Sequence, residues 1–208
     1  LAHLASKQIA VSELSPAAVQ QLTNYREPDV SEQARRLLGD TIPANRQQVI
    51  AEYQPALSAQ GDAERGRAVF QKNCSECHRI GQLGVIVGPY IGDFTLKPNV
   101  RNNPPVILES ILNPNRAIDA NYVSYTVVTV SGKVHTGIVT QETGSSVTLK
   151  QAKAKQLTVL RDDIEIIRSN QTSLMPEGFE KNISLAQMTD LIAFLRDWRF
   201  LDGLVPLD

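Results

Sequence analysis

The sequence predicts a mainly α-helical fold interrupted by a small antiparallel β insertion, and three observations carry that prediction. Apolar residues recur at helical spacing before residue 112 and again after residue 184. Between about 121 and 169 the pattern becomes short β-branched runs separated by glycine-containing turns. Prolines, glycines and capping residues stand where the pattern changes.

Residues 1–58 read as short helices in series. Ser15-Pro16 supplies a cap and a first-turn proline for a helix at 17–22. Asp29 is placed to cap a second helix through Leu38, with Gly39 ending it. Pro43 opens a third, on which Val49, Ile50, Tyr53 and Leu57 fall at apolar spacing. No catalytic constellation occurs here, so the segment reads as a helical scaffold. Residues 59–208 are expected to form a second domain. It begins with a helix at 63–72 that puts Gly66 and Phe70 on one face. Gly81, Gly84, Gly88-Pro89 and Gly92 follow, a stretch whose backbone can approach a flat ligand closely. Pro104-Pro105 opens a helix through Leu112, stopped by Asn113-Pro114. Five strands are predicted at 122–130, 134–141, 147–150, 156–160 and 164–168, a spacing that suggests a bent sheet or SH3-like barrel. Ser184-Leu185-Ala186-Gln187 is a capping box, and Leu185, Met188, Leu191, Ile192, Leu195 and Trp198 stripe the helix it starts.

Composition excludes several classes. With 208 residues, 42% hydrophobic and 21% charged, the chain is ordinary for a globular protein. A net charge of -1 provides no general basic field for nucleic acid or an anionic membrane. No apolar run is long enough to span a bilayer; 84–91 is short and broken by Gly88 and Pro89. Leu1 begins the chain with neither an initiator methionine nor a signal-like segment, which reads as a processed product or an excised piece.

The chemistry concentrates in Cys74-Ser75-Glu76-Cys77-His78, which holds both cysteines and one of three histidines. Two thiols at this spacing can add to the two vinyl groups of a haem, and the next histidine then meets one face of the iron. Zinc would need further ligands, and no second Cys or His pair exists to supply them. A redox dithiol lacks its flanking βαβ pattern. The motif therefore predicts one covalent haem c per chain, with His78 as a metal ligand. Four other side chains are candidates for the opposite axial position: Met175, Met188, His135 and His3. Met188 lies on the apolar stripe of the last helix, where core packing explains it. His135 falls within a strand and reads as a surface or half-buried histidine; His3 is far from the motif in sequence. Met175 stands in Ser173-Leu174-Met175-Pro176-Glu177-Gly178, a proline-stiffened loop with no periodicity to account for it, and is the preferred ligand.

Taken together, Gly66-x-x-x-Phe70, Cys74-x-x-Cys77-His78, Gly88-Pro89 and Leu174-Met175-Pro176 before an amphipathic helix resemble a class I cytochrome c. More narrowly, residues 61–198 resemble the haem-binding domain common in Planctomycetes and Verrucomicrobia, in which residues 1–58 would end a HEAT-like repeat region. The resemblance implies thioether bonds at Cys74 and Cys77, iron on His78 Nε2, the Pro89 carbonyl accepting the other imidazole N–H, and Met175 as distal ligand. It also implies that Gly66 and Phe70 let the first haem-domain helix cross the last near 191–195. Tyr90-Ile91 departs from the family pattern, so the crevice wall is expected to differ there. The implied function is one-electron transfer without enzymatic turnover, from a fused or partner dehydrogenase to a cytochrome or oxidase, in a periplasmic or exported setting. The alternative is gas binding or peroxidase-like chemistry at an open or labile distal site. A third reading makes the β insertion a docking module.

Overall fold

The computed structural model describes residues 22, 27–38 and 46–201. The expected helix at 17–22 (apart from Leu22), Gly39, Pro43 and His3 lie outside the described residues. The chain divides into two compact units, Leu1–Gln48 and Val49–Asp208. The division falls earlier than residue 58 because Val49, Tyr53 and Ala56 are buried in the core of the second unit.

In the first unit, helix α1 spans Pro28–Leu38. Proline occupies the opening helical position, so Asp29 lies inside the first turn rather than capping it; there its charge still favours the positive end of the helix dipole. Ala34 and Leu38, one turn apart, are both buried.

Helix α2 (Arg46–Tyr53), whose residues from Val49 onward belong to the second unit, runs into a 3-10 turn, Gln54–Leu57. Helices α3 (Ala63–Asn73), α4 (Ile91–Leu96), α5 (Pro98–Arg101), α6 (Pro104–Leu112) and α7 (Leu185–Leu201) follow. Asp62 caps α3 by accepting from the Arg65 amide at 2.9 Å, and Pro104 starts α6 as the sequence predicts. The capping box at α7 is reciprocal: Ser184 N donates to Gln187 Oε1 at 2.9 Å, and Gln187 N donates to Ser184 Oγ at 3.3 Å.

The centre of this unit is the crossing of α3 over α7. A side chain at Gly66 would place its Cβ 1.9 Å from the Asp190 carbonyl oxygen, so only glycine permits this backbone approach. One turn along, Phe70 meets Phe194 at 5.6 Å between ring centroids. A polar clamp fixes the crossing. Arg65 donates from Nε and an η-nitrogen to both oxygens of Asp190 at 2.8 and 2.9 Å, and Asp62 N adds a bond at 2.8 Å. Hydrogen bonding from Arg65, opposed by burial, holds the Asp190 carboxyl below the usual range. Met188 is fully buried in this core, which accounts for it as packing. Tyr53 ties α2 to the same region: its hydroxyl donates to Ile183 O at 2.6 Å.

The β insertion forms a five-stranded antiparallel sheet with its own small core of Val127, Val147, Leu149 and Val159. After the short hairpin β1 (Arg79–Ile80) and β2 (Leu83–Gly84), its strands are β3 (Val123–Thr129), β4 (Val134–Glu142), β5 (Ser146–Lys150), β6 (Gln156–Leu160) and β7 (Ile164–Ser173). They lie in the order β6-β5-β4-β3-β7, so the last strand pairs with the first. Strand β7 continues past the expected Arg168. Val123 pairs with Ser173 while Tyr125 pairs with Ser169, a bulge in which Gln171 adopts φ 55°. The Asn170 side chain locks it, accepting from Thr126 Oγ1 at 2.9 Å and donating to Ser124 Oγ at 3.0 Å. His135 is half-buried on β4, away from the site described next.

Candidate haem-binding site

The Cys-x-x-Cys-His segment folds as a turn continuing α3. Cys74 N donates to Phe70 O at 2.8 Å, and His78 N donates to Cys74 O at 2.8 Å. The chain then doubles back along it: Val85 N reaches Ser75 O at 3.1 Å, and Val87 N and Gly88 N both reach Cys77 O at 2.9 Å. This return lays Gly88-Pro89 against the imidazole of His78. A Cβ at Gly88 would stand 2.6 Å from His78 Cε1, so the histidine ring occupies the place a side chain would fill.

His78 Nδ1 lies 2.9 Å from the Pro89 carbonyl oxygen. A carbonyl can only accept, so the proton sits on Nδ1 and the Nε2 lone pair is left for a metal. Burial lowers the His78 pKa, against the Pro89 bond that raises it, and keeps the ring neutral as ligation requires. Cys74 and Cys77 are not joined to each other. Burial, with the neighbouring Cys77 adding to it, pushes the Cys74 thiol up to about 12. A redox dithiol needs the opposite shift, toward a thiolate at neutral pH. Among the described residues no group of three or more His, Cys, Asp or Glu could hold a metal ion.

These residues open onto an apolar crevice of about 270 Å³. Cys74, Cys77, His78, Gly88, Pro89 and Met175 all line it, so the structure brings these six together. Met175 approaches on the loop that follows β7. The walls include α6 through Ile107 and Ile111, and the floor is built by Phe70, Leu191 and Leu195 of the α3–α7 crossing. Ile91 lines the crevice and Tyr90 does not, so the departure from the family pattern changes one wall position.

Sequence reasoning missed the part the insertion plays. Tyr122 and Ile138 line the crevice, and the Lys153 amide donates to Glu76 O, inside the haem motif, at 2.7 Å. The sheet is therefore part of the site wall. Ile138 lies on the buried side of β4, a signal that marks a covered face without naming what covers it. The donor set and the shape fit a covalently held flat macrocycle: two unbridged thiols, a neutral imidazole with a fixed tautomer, and hydrophobic walls.

Comparison with known proteins agrees. A family model described as cytochrome c matches residues 63–151, somewhat less than half of the chain. These findings support a c-type cytochrome. The cytochrome c-553-like protein of Synechocystis sp. (strain ATCC 27184 / PCC 6803 / Kazusa) is 58% identical over 33 residues, which is 16% of this chain and 30% of that relative. The match thus spans under a third of the relative's length. The cofactor implied for this cytochrome segment is haem c, attached covalently, and both cysteines lie within the matched residues. The matched range ends at Gln151, before Met175. Among the described residues no helix is long and apolar enough to cross a membrane.

Proposed function

We propose that the second unit is a one-electron carrier in which Cys74 and Cys77 would bind a haem c covalently and His78 and Met175 would ligate its iron. The observation that carries this reading is that Met175 lines the same crevice as the motif and is the only methionine to do so. The haem supplies Fe(III)/Fe(II) chemistry. The chain's own part is to hold both ligands and keep water from the iron, and the apolar walls suit that task. His78 is oriented by Pro89, and its N–H bond raises the imidazole's donor strength. A thioether ligand from Met175 would favour Fe(II). No acid or base side chain is needed.

The donor in this proposal is a dehydrogenase on the same polypeptide or in a complex, and the acceptor a cytochrome or an oxidase. The location is periplasmic or exported. We read residues 1–58 as the end of a HEAT-like repeat region, supported by α1 with Ala34 and Leu38 buried one turn apart. The insertion is read as an SH3-like bent sheet. Its last strand pairs with its first, and a 3-10 turn, Arg161–Asp163, precedes that last strand. The narrower resemblance to the Planctomycetes and Verrucomicrobia domain rests on the insertion and the Met loop together.

The test is the matured protein's ferric spectrum. A weak red charge-transfer band from sulfur–iron bonding is expected in wild type and absent in Met175→Ala, whose reduction potential also falls. Rapid, stoichiometric CO binding by wild type would overturn the carrier reading in favour of an open gas-binding or peroxidase-like site.

A further inference from the structure

We infer that Asn115 is a positioning residue for the distal side of the crevice, a clamp that holds the Met175 loop closed; its link to the iron rests on Met175 being the distal ligand. The loop leaves β7 at Ser173, and two of its members, each two residues from Met175, meet the same side chain. Ser173 N donates to Asn115 Oδ1 at 2.8 Å, and Asn115 Nδ2 donates to Glu177 Oε1 at 2.7 Å. The orientation of the amide is forced. Flipping it would set NH₂ against the Ser173 N–H and a carbonyl oxygen against the Glu177 carboxylate. A third bond works inside the loop, from Met175 N to Ser173 Oγ at 3.1 Å.

Asn115 is itself held by the end of α6. It follows α6 in a turn closed by Arg116 N donating to Asn113 O at 3.1 Å, and Arg116 pairs back to Glu109 on α6. Pro114, beside it, lines the crevice together with Ile111 of the same helix. One amide therefore ties the helix that forms one wall to the loop that carries the thioether. An apolar side chain of similar size would keep the packing and lose both ties. The Ser173 amide would then be left without its partner, and Met175 would depend on the iron alone to stay in place.

The experiment compares haem-loaded wild type with Asn115→Leu, Glu177→Gln and Glu177→Ala. Glu177→Gln keeps an acceptor for Asn115 Nδ2 and is expected to behave as wild type; Glu177→Ala loses one tie and Asn115→Leu loses both. In Asn115→Leu the sulfur–iron band should weaken, and the ferric protein should bind added imidazole at least about tenfold more tightly, the equivalent of one hydrogen bond. Hydrogen exchange at the Ser173 and Met175 amides should speed up while the amides of α3 and α7 stay as protected as in wild type. An Asn115→Leu protein with wild-type band, imidazole affinity and exchange rates would overturn the clamp. So would Glu177→Ala and Glu177→Gln behaving alike, a comparison that holds even should Asn115→Leu fail to fold. If wild type lacks the band and Met175→Ala changes nothing, the ligand assignment fails. Faster exchange in Asn115→Leu would then still establish the clamp on the loop.

Discussion

Gly66→Ala is the most direct test of how this molecule holds its haem motif in place. The added carbon would stand 1.9 Å from the Asp190 carbonyl oxygen and 2.8 Å from Phe194 Cβ. Both neighbours belong to the backbone or root of α7, so neither can swing aside. Relief requires the two helices to part by roughly an ångström, and a gap of that size forfeits about a quarter to a half of the dispersion attraction across it. Overpacking of this kind costs about 1–3 kcal/mol, and the rigid neighbours place this site at the upper end. Alanine's better helix propensity returns about 1 kcal/mol. The net expectation is a loss of about 2 kcal/mol, or about 1 M in the urea midpoint for a slope of about 2 kcal/mol/M. Urea unfolding of the haem-loaded protein, followed by far-UV circular dichroism, reads the shift. Gly144→Ala is the control, because a Cβ there meets nothing within 4 Å, and it should stay within about 0.5 kcal/mol of wild type. A Gly66→Ala protein as stable as the control would refute the claim that close backbone approach sets the α3–α7 crossing.

Two further substitutions probe the second unit, one in its core and one at the haem motif. Tyr53→Phe removes the 2.6 Å bond to Ile183 O and leaves a buried carbonyl short of a donor, a loss of about 1–2 kcal/mol readable by thermal unfolding. It also has a pH signature. Burial first, then the charges of Glu180 and Glu52, push the Tyr53 phenol upward, so the unfolded chain ionises before the folded one. The stability from this group is complete below about pH 10 and declines as pH rises through the folded value; Tyr53→Phe should flatten that part of the alkaline slope. Gly88→Ala drives a carbon to 2.6 Å from His78 Cε1 and should displace the ring from Pro89 O. Its expected result is a lower yield of haem-loaded protein and an altered ferric spectrum; a wild-type yield and spectrum would show that the ring tolerates displacement.

What could be read in the sequence was what short stretches decide for themselves. The haem motif, the cap at Ser184 and the proline start at Pro104 each depend on a few adjacent residues, and each forms as read. The structure departs from the sequence pattern at one local position and at several decided by distant contacts. Asp29 missed its role by little, because Pro28 can itself occupy the first helical turn. The sequence pattern ends strand β7 at Arg168, since Ser169-Asn170-Gln171-Thr172-Ser173 has little β preference and is held by the bulge network on Ser124 and Thr126. Asn115 follows a helix-stopping Asn113-Pro114 and looks like any turn residue; its function depends on partners 58 and 62 positions away. Tyr53 belongs to the haem unit through a hydroxyl bond that no helical periodicity could reveal.

The insertion contributes to the crevice through named contacts. It meets the crevice on two sides. On the motif side, Lys153 and Ala154 hold left-handed backbone at φ 60° and 56°, which costs non-glycine residues about 1 kcal/mol or more each. The ion pair between Lys153 and Glu76 at 3.2 Å joins two exposed side chains and contributes little against that cost. The compensating contact is the 2.7 Å bond from the Lys153 amide to Glu76 O, which the left-handed turn brings into line with the haem motif. On the other side, β7 runs without a break into the Met175 loop. A sheet that ends in that loop, and bends its backbone to bond the motif, positions both edges of the crevice. Displacing it would move the Met175 loop and the Cys74–His78 turn together, so the insertion and the haem site should unfold as one unit.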